Sequence, residues 1–316
     1  MTRQAHRAVP RPGPHGGDAR AVARALGVPH SEVLDLSATM NPLAPDVAGL
    51  VHRVVDEVRY YPDELEATLA LASAIGVDPE RVLLTNGGAE AIALVAGHLA
   101  GAVVVEPEFS LWRRHLASVA DSPPDGAGRV RSNPNNPTGA LAAAGDRAAA
   151  WDEAFYPLAT GRWTRGDAGH GAIVVGSLTK LFACPGLRLG YVIAPDPELA
   201  SRLSSRQPLW SVNSLALAVL PQLLELADLG RWSQEIAALR AELAAGLEAR
   251  GLDVAAADAP WVLVHRAAWL RDPLALQGVL VRDCTSFGLP DTIRVAVPGA
   301  AGLGRLSGAL DRVRSA

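Results

Sequence analysis

Short apolar runs alternate with longer helical patterns over the first two thirds of the chain. The apolar runs predict strands at 81–85, 102–106, 129–132, 172–176 and 189–194. The helical patterns lie at 46–58, 64–75, 90–99, 110–119 and 141–149. Strands that alternate with helices in this way are typical of an α/β domain with a mostly parallel sheet.

The last third of the chain has a different order of elements. Helices are predicted at 215–226 and 231–247, strands at 254–256, 261–265, 279–281 and 293–297, and a last helix at 303–314. This order predicts a small α+β domain. Residues 1–48 are rich in Pro and Gly, with one helical pattern at 18–26. The expected division is an N-terminal arm (1–48), a large domain (49–208) and a small C-terminal domain (209–316).

Composition and charge narrow the possible partners and location. The chain has 316 residues, of which 49% are hydrophobic and 20% charged, and its net charge is −4. It contains no polybasic stretch, so we expect neither nucleic acid nor a membrane surface as a partner. Cys184 and Cys284 are too far apart in sequence to indicate a disulfide framework or a metal site. Residues 1–17 contain no apolar run typical of a signal peptide, and a cytoplasmic location is expected.

A lysine follows directly on the strongest strand pattern. Residues 172–176 (AIVVG) lead into Ser177-Leu178-Thr179-Lys180. Because a buried lysine is costly unless it is paired or modified, its position indicates chemistry. Taken alone, Lys180 would be a surface lysine at the end of a strand. Its neighbours along the chain favour a functional role.

Several residues match the needs of a phosphate-bearing ring cofactor, pyridoxal phosphate (PLP). Gly88 and Ala89 open a predicted helix, whose free N–H groups and dipole favour phosphate. Ser177 would add a hydroxyl group and Arg188 a planar cationic fork.

Three further residues match the ring of the same cofactor. Asp152 would pair with the pyridine nitrogen, so that the ring acts as an electron sink. Asn136 would donate to the phenolic oxygen, and Phe109 could stack on the ring face. Singly, Phe109 could be a core residue and Asp152 a helix cap, but the order and spacing of the whole set favour the cofactor.

Four segments in order resemble the PLP-dependent class I/II aminotransferase family of fold type I. They are NGGAEAI (86–92), NPNNPTG (133–139), DEAF (152–155) and SLTKLFACPGLRLGY (177–191). Within the family, the branch of L-threonine-O-3-phosphate decarboxylases of cobalamin biosynthesis is the most similar. That similarity lies in HGG (15–17), LDLSATMNP (34–42), RYYPD (59–63), PLWSVNSLA (208–216), VRDC (281–284) and IRVAV (293–297). The resemblance implies an α/β large domain with a mostly parallel sheet, a small α+β C-terminal domain and a homodimer.

The resemblance also implies a role for each matching residue. Lys180 forms a Schiff base with PLP, Asp152 meets the pyridine nitrogen and Asn136 the phenolic oxygen. The phosphate is held by Gly88, Ala89, Ser177 and Arg188, with Tyr61 reaching it from the other subunit. The substrate, a small phosphorylated amino acid, meets Arg294 through its carboxylate, and His15, Gly16 and Arg282 make further contacts. For His15 alone a flexible-arm histidine, and for Arg282 a surface charge, are the alternatives.

Three features depart from the family pattern. Thr39 stands where the decarboxylases typically have asparagine. Phe155 stands where histidinol-phosphate aminotransferases have tyrosine, and phenylalanine there favours the decarboxylase branch. The chain is short on both sides of NPNNPTG, with 26 positions from Phe109 to Asn135 and 16 from Asn136 to Asp152. This shortness predicts a shortened sheet that lacks an edge element.

Three functions follow as hypotheses. The favoured one is L-threonine-O-3-phosphate decarboxylase in cobalamin biosynthesis. The second is an aminotransferase on a phosphorylated or small amino acid, similar to the histidinol-phosphate enzymes. The third, suggested by the short middle segment, is a catalytically degenerate PLP-binding protein.

Overall fold

The chain divides into two compact units. The computed structural model describes residues 8–13, 15–99, 101–116, 118–119 and 128–315. The central unit is Met40–Ile236, and the terminal unit combines Met1–Thr39 with Ala237–Ala316. These limits differ from the expected divisions at 48/49 and 208/209. The boundary at Ile236 falls inside a long helix, where the sequence shows no break in composition.

Helices and strands account for most of the described residues. The helices are α1 (Ala19–Leu26), α2 (Val47–Arg53), α3 (Leu65–Ile75), α4 (Gly87–His98), α5 (Ser110–His115), α6 (Tyr156–Thr160), α7 (Leu178–Leu181), α8 (Pro197–Ser204), α9 (Ser214–Glu225), α10 (Leu229–Glu248), α11 (Arg271–Leu276) and α12 (Ala300–Ser315). The strands are β1 (Leu34–Leu36), β2 (Val82–Asn86), β3 (Val103–Val104), β4 (Ser118–Val119), β5 (Arg129–Ser132), β6 (Ala150–Asp152), β7 (Ile173–Gly176), β8 (Leu189–Ile193), β9 (Asp253–Ala256), β10 (Trp261–His265), β11 (Val279–Asp283) and β12 (Ile293–Ala296). Among the described helices, none has both the length and the apolar character that crossing a membrane would require.

A seven-stranded sheet organises the central unit. Its strand order is β2-β8-β7-β6-β5-β3-β4, with β4, β3, β5, β6 and β7 parallel and β8 antiparallel to both neighbours. Leu84 and Val174 belong to the core on one face, whereas the adjacent Leu83 and Val175 belong to the core on the other. Burial on both faces explains why β2 and β7 have continuous apolar sequences.

The carboxyl ends of three parallel strands bring the candidate residues to one edge of this sheet. Ser132 ends β5, Asp152 ends β6 and Gly176 ends β7. Ser132 and Asp152 are paired across β5 and β6, and Asp152 is paired with Val175 of β7. In open α/β sheets this edge is where ligands bind.

Two predictions about the short middle segment need correction. The helix predicted at 141–149 does not form, and residues 140–149 are turns and irregular chain. Arg165 Nη2 donates to the carbonyls of Ala143, Ala144 and Asp146 at 3.0–3.1 Å, which satisfies backbone groups that a helix would pair internally. The edge element expected to be missing is present, because Ser118–Val119, predicted as a helix end, forms β4 beside β3. The connection between β5 and β6 is therefore short and contains no helix at 140–149.

The terminal unit contains a five-stranded sheet in the order β1-β11-β12-β10-β9. Strand β1, predicted as part of the arm, runs parallel to β11, and the other pairs are antiparallel. Val22, Leu26 and Val33 pack with Leu280 in a small core of this unit. Pairing and packing thus join α1 and β1 to the C-terminal part of the chain.

Candidate cofactor site

The first turn of α4 forms a cradle with two side chains from neighbouring segments. Gly87 has φ +75°, and a Cβ atom there would lie 2.5 Å from Arg188 Nη2. A Cβ atom on Gly88 would lie 3.4 Å from Ser177 Cβ. Arg188 itself has φ +58°, a conformation that costs energy in a residue other than glycine. A guanidinium, a hydroxyl and a helix N-terminus that includes Ala89 thus surround one small space, as a phosphate group requires.

Lys180 and Asp152 lie at the ends of adjacent strands. Lys180 is in α7, which follows β7 directly, and its carbonyl accepts the N–H of Asn41 at 3.0 Å. Asp152 is buried, and this burial raises its pKa to about 6. Hydrogen bonds from Ala154 N–H (3.1 Å) and Trp112 Nε1 (3.3 Å), and the charge of Lys180, act in the opposite direction on that pKa. A further cation, such as a protonated ring nitrogen, would therefore stabilise the ionised form of Asp152.

Asn136 and Phe109 lie on segments that pack near the same strand ends. Asn136 is buried in the turn after β5, and its N–H donates to Ser132 Oγ at 2.8 Å. Phe109 precedes α5 as its N-cap and packs against the core on that face of the sheet. Trp112, on the same short helix, donates to Asp152. The order of segments predicted for a ring-binding site is consistent with these positions.

Tyr61 differs from the other predicted cofactor residues because it faces solvent. Its exposed fraction is 77%, and its ring lies 4.6 Å from the ring of Trp210 between centroids. Ser214 Oγ donates to the carbonyl of Tyr60 at 2.8 Å, which fixes the segment to the start of α9. In this chain the Tyr61 ring contacts Trp210 and solvent, and its contact with a cofactor phosphate of a second subunit stays a prediction.

Two of the predicted substrate residues form a pair within the terminal unit. Arg282 on β11 and Arg294 on β12 are direct neighbours across the sheet, and both are buried. Their guanidinium carbons lie 5.4 and 5.8 Å from the ring centre of Phe287, and Arg294 also lies 4.8 Å from that of Trp261. Burial lowers the pKa of both, to about 10 for Arg294. Arg294 therefore stays cationic near neutral pH.

The arm segment with His15 and Gly16 is anchored inside the same unit. A Cβ atom on Gly16 would lie 2.2 Å from the carbonyl oxygen of Ser37, and Gly17 N–H donates to Ser37 Oγ at 2.9 Å. Arg282 Nη1 donates to the carbonyl of Gly13 at 3.0 Å. His15 is exposed. The arm thus reaches Arg282 through Gly13.

Thr39 lies at the end of the first segment of the terminal unit, and three residues that the sequence did not indicate lie around the cofactor site of the central unit. Thr39 is buried, and its Oγ1 has no hydrogen-bond partner among the described residues. Glu108 accepts the N–H of Phe109, Trp112 donates to Asp152, and Ser132 accepts the N–H of Asn136. Trp112 could have been found from its position one helical turn after Phe109, whereas nothing in the sequence indicates that Glu108 is buried.

Comparisons with known proteins agree with this geometry. The sequence model of the family described as "Aminotransferase class I and II" matches residues 114–304, more than half of the chain. Threonine-phosphate decarboxylase of Salmonella typhimurium is 32% identical, with 95% of this chain and 96% of that protein covered. Histidinol-phosphate aminotransferase 2 of Methylococcus capsulatus is 30% identical, with 89% and 90% covered.

Solved structures show the same fold. Histidinol-phosphate aminotransferase from Sinorhizobium meliloti, in complex with pyridoxal-5'-phosphate, has a TM-score of 0.81 at 18% identity, with 94% of this chain and 95% of that one covered. L-threonine-O-3-phosphate decarboxylase from Porphyromonas gingivalis has a TM-score of 0.75 at 20% identity, with 88% and 99% covered.

Proposed function

The chain belongs to the class I and II aminotransferases, and from this premise we propose that it is an L-threonine-O-3-phosphate decarboxylase of cobalamin biosynthesis. It is a PLP-dependent enzyme, a lyase or a transaminase. Related proteins include both a threonine-phosphate decarboxylase and histidinol-phosphate aminotransferases, so the choice of reaction must rest on the site.

The observation that supports the decarboxylase is the pair of buried arginines. Threonine phosphate carries two anionic groups, a carboxylate and a phosphate, whereas histidinol phosphate carries only the phosphate. Arg282 and Arg294 offer two adjacent guanidinium groups held over one phenylalanine ring. Because guanidinium groups bind carboxylates and phosphates through charge-assisted hydrogen bonds, two neighbouring arginines suit a substrate with two anionic groups. Phe155, where the histidinol-phosphate enzymes have tyrosine, favours the same branch.

Each proposed residue has a distinct task. When bound, pyridoxal phosphate draws electrons from the bond that breaks at the substrate α-carbon. Asp152 keeps a proton on the ring nitrogen, and Asn136 donates to the phenolic oxygen. Gly88, Ala89, Ser177 and Arg188 hold the phosphate. Lys180 attaches the cofactor through its amine and later delivers the proton that replaces the departing carboxyl group.

Substrate orientation decides between decarboxylation and transamination. Which bond of the substrate α-carbon breaks would depend on how Arg294 and Arg282 hold the two anionic groups. His15 and Gly16 complete the substrate contacts. An orientation that favours loss of the carboxyl group would release carbon dioxide, whereas one that favours loss of the α-hydrogen would have Lys180 take that proton. The two reactions use the same residues.

An aminotransferase on a phosphorylated or small amino acid is the second candidate. The sequence similarity to histidinol-phosphate aminotransferases favours it. A degenerate PLP-binding protein is the third candidate, and the buried Asp152 beside Lys180, together with the intact cradle at Gly87, argues against it.

The test is to incubate the PLP-loaded protein with L-threonine phosphate in the absence of any keto acid. We expect release of carbon dioxide and formation of an aminopropanol phosphate. Arg294→Met should raise KM by about 10- to 100-fold, as expected for loss of a hydrogen-bonded charge. Arg266→Met is the matched control, since this arginine is exposed and pairs with Asp253 at the surface, and KM should not change.

Two outcomes would contradict the proposal. Amino-group transfer to a keto acid without release of carbon dioxide would establish the aminotransferase. A bound cofactor with neither reaction would support the degenerate protein.

A further inference from the structure

Glu108 is a buried acid in a connection where an apolar residue would be expected. It lies between β3 and α5, next to Phe109, and its exposed fraction is 2%. Burial of a carboxylate is costly unless hydrogen bonds compensate for the lost water. Burial raises the pKa of Glu108 to about 7, its hydrogen bonds lower it, and the nearby charge of Asp152 raises it.

Both oxygens of Glu108 receive hydrogen bonds from the protein. Oε1 accepts the N–H of Phe109 at 2.7 Å and the hydroxyl of Ser132. Oε2 accepts the N–H of Ser132 at 2.9 Å and Asn135 Nδ2 at 3.4 Å. This pattern joins the segment that carries Phe109 to the turn that follows β5.

Ser132 extends the connection to Asn136. Its Oγ accepts the N–H of Asn136 at 2.8 Å while it contacts Glu108. Ser132 is also the residue paired with Asp152 across the sheet, and Asn133 N–H donates to the carbonyl of Asp152 at 2.8 Å. A single buried carboxylate therefore supports two of the residues assigned to the cofactor ring, Phe109 directly and Asn136 through Ser132.

We propose that Glu108 is a positioning residue that holds Phe109 and, through Ser132, Asn136 in place for the cofactor ring. The inference rests on the proposed function insofar as Phe109 and Asn136 are taken to contact the ring. A carboxylate is required because each oxygen accepts two donors. The NH₂ group of glutamine would face an N–H or O–H donor in either orientation.

The test measures cofactor binding and the spectrum of the bound cofactor, without substrate. Glu108→Gln should weaken PLP binding about tenfold, as expected for loss of one charged hydrogen bond. It should also raise the pH at which the absorption band of the bound cofactor shifts by about one unit, because Asn136 would no longer stabilise the phenolic oxygen as an anion. Ser132→Ala and Asn136→Ala should move that pH in the same direction.

The double variant Glu108→Gln/Asn136→Ala sharpens the test. If Glu108 acts through Asn136, the pH shift of the double variant should equal that of Asn136→Ala alone. Additive shifts would overturn the proposed connection, since independent residues contribute independently.

Asp167→Asn is the matched control. Asp167 is another buried acid, paired with Arg165 at 3.3 Å. This substitution should lower thermal stability but leave the absorption pH unchanged. If Glu108→Gln behaves like this control, Glu108 is structural only and the inference is wrong. If Asn136→Ala leaves the absorption pH unchanged, the ring assignment and the inference fall together, whereas a missing decarboxylase activity would affect neither measurement.

Discussion

Asp152 lies where its negative charge is unfavourable until a cation faces it. Burial raises the pKa of its carboxyl to about 6, against the ordinary value of 3.8. The folded protein therefore holds this proton more tightly than the unfolded chain does. Stability contributed by the protonated form is lost as pH rises from about 4 through about 6, and the cost above that range is on the order of 3 kcal/mol. A protonated ring nitrogen would offset this cost, so cofactor binding and folding are linked.

The expected result is that Asp152→Asn stabilises the cofactor-free protein at pH 7.5 by about 1–3 kcal/mol while abolishing PLP-dependent activity. The uncharged amide removes the buried charge that the free site must tolerate. Thermal unfolding of both proteins without cofactor, between pH 4 and pH 8, is the measurement. The two should converge near pH 4 and diverge as pH rises. Parallel curves over the whole range would show that Asp152 does not titrate as described.

Some functional residues could be predicted from the sequence and others could not. Lys180, Asp152, Asn136 and Arg188 could be singled out because each lies in a recognisable segment. Glu108 could not, because its role depends on donors that arrive from Ser132 and Asn135, more than twenty positions away. Such long-range hydrogen bonds leave no periodic pattern.

Helix α4 and strand β8 are brought together by glycine. Gly87 takes a positive φ and leaves room for the Arg188 guanidinium, while a Cβ atom on Gly190 would lie 2.4 Å from the backbone of Gly87. The cradle is therefore a property of two elements in close contact. Its geometry requires the absence of side chains at these positions.

Gly87→Ala should weaken PLP binding at least tenfold and lower the free energy of unfolding by more than the ~1 kcal/mol usual for a strained φ. The reason is the new methyl group, which would displace the Arg188 guanidinium. Gly76→Ala is the matched control, with φ +79° and no atom within 4 Å of the added methyl group. It should show the strain cost alone and normal PLP affinity. Cofactor titration and denaturant unfolding measure both effects, and equal behaviour of the two variants would refute the role of the close contact.

The elements that could be predicted are those with burial on both faces or a strong helical repeat. Strands β2, β7 and β8, which are buried on both faces, lie close to their predicted positions, and so does β5, in which buried and half-buried residues alternate. The segment 141–149 has helix-forming alanines but too little chain for a crossover helix, and its carbonyls bind Arg165 instead. Strand β4 has two residues, too short for an alternating pattern to register.

At the scale of the whole molecule, the pairing of β1 with β11 could not be predicted from the sequence. Leu34–Leu36 forms β1 beside β11, more than two hundred residues away, so the first residues belong with the C-terminal ones. Parallel pairing of this kind depends on the tertiary fold and cannot be inferred from local composition. The type of reaction likewise cannot be inferred from the fold, because relatives with this fold include both decarboxylases and aminotransferases.

The central unit also carries an exposed apolar surface that a second subunit would cover. It comprises Val58, Tyr60, Tyr61, Leu65, Leu209 and Trp210. The rings of Tyr61 and Trp210 are in contact, and exposed aromatic side chains often dominate the binding energy of an interaction surface. We propose that a second copy of the chain covers it in a homodimer, with Tyr61 of each subunit reaching the cofactor phosphate of the other.

Trp210→Ser should then weaken dimerisation about 30-fold or more, the effect of losing an interface anchor worth roughly 2 kcal/mol. It should also weaken PLP binding, because Tyr61 packs against Trp210 and would reach the phosphate only across the interface. Sedimentation velocity over a range of protein concentrations, with and without PLP, measures both effects. Trp269→Ser is the control, since this tryptophan is similarly exposed but belongs to the terminal unit, and the dimer should persist. A wild-type chain that binds PLP at full affinity as a monomer would contradict the proposal, because Tyr61 would then have no phosphate within reach.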